Sequence, residues 1–492
     1  MRVLYIDIDS LRPDHLGCYG YHRDTSPNID RLAAESVRFT NVYVSDAPCL
    51  PSRTALWSGR TGFHNGVVNH GGVAAQPFMQ GPDVGDRANV FSRTGWMRAL
   101  ADLGMTTATV SPFGQRHAAW HWYAGFNHIH NTGKYGDEIA ADIVPVALDW
   151  LDRHGAQDNW FLHVNLWDPH TPFRTPAAFG EPFAGQPLPA WFTAEMWQRA
   201  WDGFGPHSPR EPNWFFGPLE ARFPRQPDQI DSLDAVRRWV DGYDTGIRYA
   251  DEWIGRLIAR LQALRVYDDT IVVVSADHGE NIGELNVWGD HQTADHITCR
   301  VPLLIRFPGV GGAPRVDTAL HYHFDWAATL IELLGGAVPH NWDGVSFAPA
   351  FRRGAQAGRD CLVTSQGAWA CQRGVRFAHD GADYLALRTY HDGLKELAPR
   401  MLFNLTADYH LQHDLASAEP HVLDRAMSLL ESWYAAQMTR SESDVDPLMT
   451  VLREGGPFYT RGYEARYIER LKATGRAQHA RRLAKIHHRE QP

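Results

Sequence analysis

Hydrophobic positions in this chain fall into two textures. Continuous apolar runs at residues 3–8, 107–111, 160–166, 270–275 and 301–306 read as strands buried on both faces. Between them, residues 96–103, 138–153, 233–264 and 325–334 carry the apolar period of helices. Ser26-Pro27 opens one more helix to about Glu35, with serine as N-cap and proline in the first turn. Strands alternating with helices predict an α/β fold, a large mixed and mainly parallel sheet sandwiched by helices. The Pro-, Phe- and Trp-rich stretch 172–229 is too long for an ordinary connection and reads as an insertion over the active face.

Beyond residue 352 the runs shorten and alternate, at 361–364, 370–377, 383–387 and 401–404, and a helix follows near 421–437. This predicts a smaller C-terminal α+β subdomain with an antiparallel sheet. The expected division is a catalytic domain over 1–351, the subdomain over 352–446, and a basic helical tail over 447–492. That tail reads as a solvated extension or an arm for homo-oligomer formation.

Composition narrows the class. With 492 residues, 44% of them hydrophobic, the chain can bury a large core, which excludes disordered and disulfide-scaffold classes. A net charge of −10 argues against a general nucleic-acid or anionic-membrane binder. No stretch approaches the roughly 20 apolar residues a membrane span needs, and the opening MRVLYIDIDSLRPDH is not a leader. Five cysteines (Cys18, Cys49, Cys299, Cys361, Cys371) form an odd set without zinc spacing, so a reduced, cytoplasmic setting is expected. Lysine occurs only at 134, 395, 472 and 485, so arginine carries nearly all the positive charge, and histidine is abundant at 26 residues.

Ligands in α/β sheets bind beyond the carboxyl ends of the strands. Asp9 follows the first run, Asp168 and His170 follow the run at 160–166, and Asp277-His278-Gly279-Glu280 follows the run at 270–275. One aspartate in such a place is usually a helix cap; three sets converging suggest a hard-metal site of carboxylates and imidazole. Before a further helical stretch stands Pro48-Cys49-Leu50-Pro51-Ser52-Arg53.

The C-x-P-S-R spacing resembles the maturation signature of the formylglycine-dependent sulfatases of the alkaline-phosphatase superfamily. DSLRPDHLGCYGY, SRTALWSGR, DPHTPF, SADHGENIGE, RVPLLIRFPG and LFNLTADYHLQHDLA follow the family pattern in order, over roughly residues 1–440. The resemblance implies hydrolysis of a sulfate ester by a formylglycine made from Cys49 by a separate maturation enzyme. The hydrated aldehyde offers one oxygen to attack sulfur and a second that later expels sulfate. It implies metal ligation by Asp9, Cys49, Asp277 and His278, with Ca²⁺ favoured and Mg²⁺ or Mn²⁺ open. It implies that Arg53 stabilises the nucleophile and that His170 protonates the leaving oxygen.

Asn69-His70 resembles a substrate-contacting pair of phosphonate-hydrolase-like relatives. Two departures stand out. Ser10 occupies a position where most sulfatases place a second acid or amide, and Asp7, on the same strand face as Asp9, is a candidate substitute. The two lysines that sulfatases aim at sulfate are missing. Ser111, Arg116 and His117 are the available replacements at the first place, and His291, beside Asp290, at the second. Trp57, Trp120, Trp122, Trp167 and Trp288 lie near these residues in sequence and suit a carbohydrate or aryl sulfate. The alternatives are a phosphonate monoester or phosphodiester hydrolase on the same scaffold, and a carbohydrate-binding relative without catalysis.

Overall fold

In a computed structural model, which describes residues 1–79, 89–310, 315–353 and 357–487, the apolar runs become strands where expected. In chain order the first seven are β1 Arg2–Ile8, β2 Val37–Tyr43, β3 Asp46–Ala47, β4 Thr106–Val110, β5 His128–His130, β6 Trp160–Leu166 and β7 Thr270–Ser275. Then come β8 Asn281–Ile282, β9 Trp288–Asp290, β10 Arg300–Arg306 and β11 Arg315–Tyr322. β12 Cys361–Gln366, β13 Cys371–His379, β14 Ala382–His391 and β15 Arg400–Asn404 follow.

Eight of them form one sheet in the order β11-β2-β10-β7-β1-β6-β4-β5. β1 pairs parallel with both β6 and β7, and β10 alone runs antiparallel to its neighbours β2 and β7. All of β6 and β7 is buried, which is why their sequences, WFLHVNL and TIVVVS, are mainly apolar rather than strictly alternating. Helix Ala140–His154 packs on this sheet and against helix Leu233–Ala263.

The second sheet has the order β15-β14-β13-β12-β3. Its edge strand β3 comes from the N-terminal region and pairs parallel with β12, Asp46 opposite Ser365 and Ala47 opposite Gln366. The two residues just before Pro48-Cys49 are therefore fastened to the C-terminal sheet.

The tail differs from expectation. It forms helices Pro447–Arg453, Glu464–Ala473 and Ala477–His487, and residues 488–492 of the expected tail lie outside the described residues. Tyr467, Ile468, Leu471, Ala480 and Leu483 are buried against Phe204, Trp214 and Trp369 of the same chain, so these helices fold back rather than extend as an arm. Two of the tail's arginines, Arg470 and Arg476, are paired inward. Buried Glu211 accepts hydrogen bonds from Arg470 Nε (3.2 Å), Arg476 Nη1 (3.1 Å) and Tyr467 Oη (3.4 Å). Glu211→Ala strands the buried Arg476 charge and should cost about 3 kcal/mol in urea unfolding. A cost below about 1 kcal/mol would mean that apolar packing alone holds the tail.

Candidate active site

The segment holding Cys49 forms the helix Cys49–Ser58, every residue of it buried. Gly59 ends the helix at φ 66°, where a Cβ would meet the Trp342 ring 2.2 Å away. Cys49 is thereby placed at a helix N-terminus opposite the carboxyl ends of β1 and β7. One donor atom each from Asp9, Cys49, Asp277 and His278 lie within 4.8 Å of one another, all four residues buried.

His278 Nδ1 lies 2.8 Å from the Gly279 carbonyl, which makes it the proton-bearing nitrogen and turns the Nε2 lone pair inward. Nε2 stands 3.2 Å from Cys49 Sγ and 3.2 Å from Asp277 Oδ2. Burial raises the Asp277 carboxyl well above its usual value, and the charges of Asp9 and Asp7 push the same way. Burial and the neighbouring Asp9 and Asp277 also raise the Cys49 thiol, so it is not a thiolate nucleophile as it stands.

Arg53, one turn along, answers this negative charge. Its Nε donates to Asp7 Oδ2 (2.7 Å) and its Nη1 to Asp9 Oδ2 (2.9 Å) and Asp277 Oδ2 (2.6 Å). The guanidinium is sandwiched by Phe113 (4.9 Å) and Trp167 (5.5 Å). Three carboxylates against one guanidinium leave an excess of negative charge that a divalent cation fits.

Asp7 and Ser10 both fall outside the donor cluster. Asp7 faces Arg53 and, at 3.3 Å, His163 Nε2. Ser10, at φ 62°, donates its hydroxyl to Asp9 Oδ1 (3.0 Å) and its backbone N–H to Asp277 Oδ1 (3.2 Å), orienting the two carboxylates.

Cys49 opens onto a cavity of about 310 Å³ whose lining includes His70, Arg116, His117, His170, His207, Asp290 and His291. His70 Nε2 accepts the Leu50 N–H at the helix start (3.3 Å), and its Nδ1 is 2.9 Å from Tyr459 Oη. His170 Nε2 is 4.0 Å from Asp9 Oδ1, and His291 lies with its ring centre 4.0 Å from that of His278. Arg116 rests on the Trp167 face at 4.9 Å. Burial first, then neighbouring positive groups, push the His70 and His117 rings well below the usual histidine value. These rings therefore offer neutral N–H and lone-pair contacts near pH 7, not the charged contacts of lysine.

Several expected residues are elsewhere. Ser111 lies off the cavity with its hydroxyl committed to Asn165 Oδ1 (2.9 Å). Asn69 is fully buried, off the cavity lining, and its Oδ1 accepts the His70 N–H. Trp57, Trp122, Trp167 and Trp288 are core residues, and Trp120 is exposed outside the cavity. The aromatic wall is instead Phe216, Phe223, Trp369 and Tyr459. Phe216 and Phe223 come from the 172–229 segment. Arg174, His207, Trp369 and Tyr459 were not visible in the sequence because no local motif marks them.

Asp168 is a cap. Its Oδ1 accepts the Ala140 N–H (3.0 Å) that starts helix Ala140–His154, while burial raises its pKa to about 7. The folded protein keeps it protonated, whereas the unfolded chain ionises it from about pH 4. Stability from this group is thus full below about pH 4 and lost as pH rises towards 7. Asp168→Asn keeps the cap without the penalty. Its stability relative to wild type should rise by about 3 kcal/mol between pH 4.5 and 8. A pH-independent difference in paired urea titrations would show that Asp168 is ionised in the fold.

The sulfatase family model matches residues 2–337. The chain is 28% identical over 363 residues to the choline-sulfatase of Rhizobium meliloti (strain 1021), covering 66% of each, and so spans just under two-thirds of that protein's length. Among solved structures it resembles a protein in complex with its substrate D-glucosamine-2-N,6-O-disulfate. That likeness has a TM-score of 0.69 at 18% identity and covers 91% of this chain and 99% of the other. It also resembles the phosphonate monoester hydrolase of Silicibacter pomeroyi, with a TM-score of 0.63 at 20% identity over 92% of this chain and 97% of the other. With the family model matched along most of its length, the chain belongs to the sulfatase family.

Proposed function

We propose that this protein hydrolyses a sulfate ester of a small molecule or carbohydrate with a formylglycine generated from Cys49 by a maturation enzyme. One observation carries the reading. The donor atoms of Asp9, Cys49, Asp277 and His278 converge within 4.8 Å, with Arg53 against the carboxylates, at the inner end of a cavity. Asp9, Asp277, His278 and residue 49 would hold the divalent cation, with Ca²⁺ expected from the oxygen donors and Mg²⁺ or Mn²⁺ as alternatives. Such a cation would supply positive charge that offsets the sulfate, and a formylglycine would supply the nucleophilic oxygen as its hydrate.

The chain's own residues do the rest. Arg53 balances the buried carboxylates and keeps them in place beside residue 49. His170, its Nδ1 proton donated to the Thr171 carbonyl, presents the Nε2 lone pair to the cavity, and it serves the leaving oxygen as an acid only after Nε2 has taken up a second proton there. Arg116 supplies the fixed charge that lysine supplies elsewhere in the family, while His117 and His291 contribute neutral contacts to sulfate oxygens and His70, its nitrogens engaged by the Leu50 N–H and Tyr459 Oη, stands beside them. Asn69 positions His70 through its backbone N–H.

A phosphonate monoester or phosphodiester hydrolase is the second reading, favoured by the imidazole of His278 in the donor set. Matured protein assayed side by side on aryl sulfates, aryl phosphonates and aryl phosphodiesters decides between them. The sulfatase reading expects kcat/KM for the sulfate to lead by at least tenfold; a lead for the phosphonate or diester would reverse the assignment. Exhaustive chelation should remove turnover, and adding back Ca²⁺, Mg²⁺ or Mn²⁺ singly should restore it. Full activity after chelation would contradict a role for the cation.

A further inference from the structure

Within the cavity that opens on Cys49, one wall carries positive charge that sulfate at the reaction centre does not use. Arg174 is buried, yet weakly held. Its Nη1 reaches the His170 carbonyl at 3.3 Å, its Nη2 the Thr171 carbonyl at 3.5 Å, and its Nε makes no hydrogen bond. The nearest carboxylate oxygen to that Nε is Asp137 Oδ1, at 3.5 Å. Asp137 is shared, since Arg222 Nη2 approaches its Oδ2 at 3.2 Å. Two guanidiniums thus divide one half-exposed carboxylate, with Arg116 as a third cation nearby, stacked on Trp167 and donating to the Tyr135 carbonyl at 3.4 Å.

The other acid of the cavity, Asp290, stands with His207 Nε2 (3.1 Å) and His291 Nε2 (3.5 Å) and does not offset them. Arg174 and Arg222 line both this cavity and an adjoining one of about 650 Å³, so they stand where the two spaces meet. A volume of about 310 Å³ accommodates one ring with its substituents. Phe216 and Trp369 give that ring an apolar wall.

We infer that Arg174 and Arg222 form a second anion subsite, and that the substrate is a ring-bearing sulfate ester with a further carboxylate or sulfate on the same ring. The forked guanidiniums suit either group bidentately. This inference rests on the sulfatase reading of the site.

The test measures binding and turnover separately. Two ester pairs are used: phenyl sulfate against 3-carboxyphenyl sulfate, and glucose 6-sulfate against glucose 3,6-disulfate. Calorimetry on protein with Cys49 unmatured should give at least tenfold tighter binding of the doubly anionic member in one pair. The pair that shows it tells whether the ring is aromatic or a sugar. Arg174→Met and, at the exposed rim, Arg222→Gln should each shrink that ratio below threefold. Equal affinity within both pairs, or a ratio that both variants leave intact, would overturn the subsite. Matured wild type releasing no sulfate from any of the four esters, despite the binding preference, would count against the hydrolase reading alone.

Discussion

Cys49→Ala should abolish sulfate release while leaving the fold intact. Cys49 is a small buried side chain at the start of a buried helix, so trimming its sulfur costs the core about 1 kcal/mol. Loss of a covalent nucleophile, by contrast, typically lowers kcat by on the order of 10⁴–10⁶. Cys49→Ser sharpens the test. A serine hydroxyl can attack sulfur once, but lacks the second oxygen needed to expel sulfate. The serine variant should release at most one alcohol per protein molecule and no free sulfate, read by a burst of chromophore without inorganic sulfate. Steady turnover by either variant would remove residue 49 from the chemistry.

Arg53→Met is the other large effect, and it should strike stability and activity together. The guanidinium is buried, donates to Asp7, Asp9 and Asp277, and lies between two aromatic faces. Removing it leaves three buried carboxylates without their counter-charge, a loss of about 3–5 kcal/mol. Arg53→Lys recovers only part, because an ammonium cannot fork across Asp7 on one side and Asp9 with Asp277 on the other. Turnover should fall at least about 10²-fold in both, as for removal of a preorganised electrostatic group. Added divalent cation should raise the Tm of Arg53→Met more than that of wild type, since it meets the same carboxylates. A variant as stable and active as wild type would mean that Arg53 is dispensable to the cluster.

The parts of this molecule that were legible in the sequence share a physical basis. β6 and β7 coincide with the apolar runs at 160–166 and 270–275, because a strand buried on both faces is built mostly from apolar residues. The donor cluster was legible because Asp9, Asp277 and His278 follow such strands directly, and because Cys49 carries a motif. What stayed hidden depends on contacts between distant segments. Ser111 follows β4 as expected, but its hydroxyl turns to Asn165 at the end of β6. The tryptophans near the motifs in sequence went to the core, and the cavity took Trp369 and Tyr459 from far along the chain. The tail looked solvated because its charge is plain in sequence, whereas its partner, Glu211, lies more than 250 residues away.

The missing lysines also find a physical answer in position rather than in residue count. Buried imidazoles are held neutral here, so His117 and His291 do not carry the charge that lysine would. Arginine does: Arg116 reaches the cavity and is braced on Trp167.

The most direct measurement pairs peptide mass spectrometry with sulfate release on graded preparations, expressed with increasing amounts of maturation enzyme. The Cys49 peptide should lose about 18 Da on conversion of the thiol to the aldehyde. Sulfate release should rise in proportion to the converted fraction and extrapolate to zero at none. Full turnover from protein whose Cys49 is entirely thiol would contradict the formylglycine account.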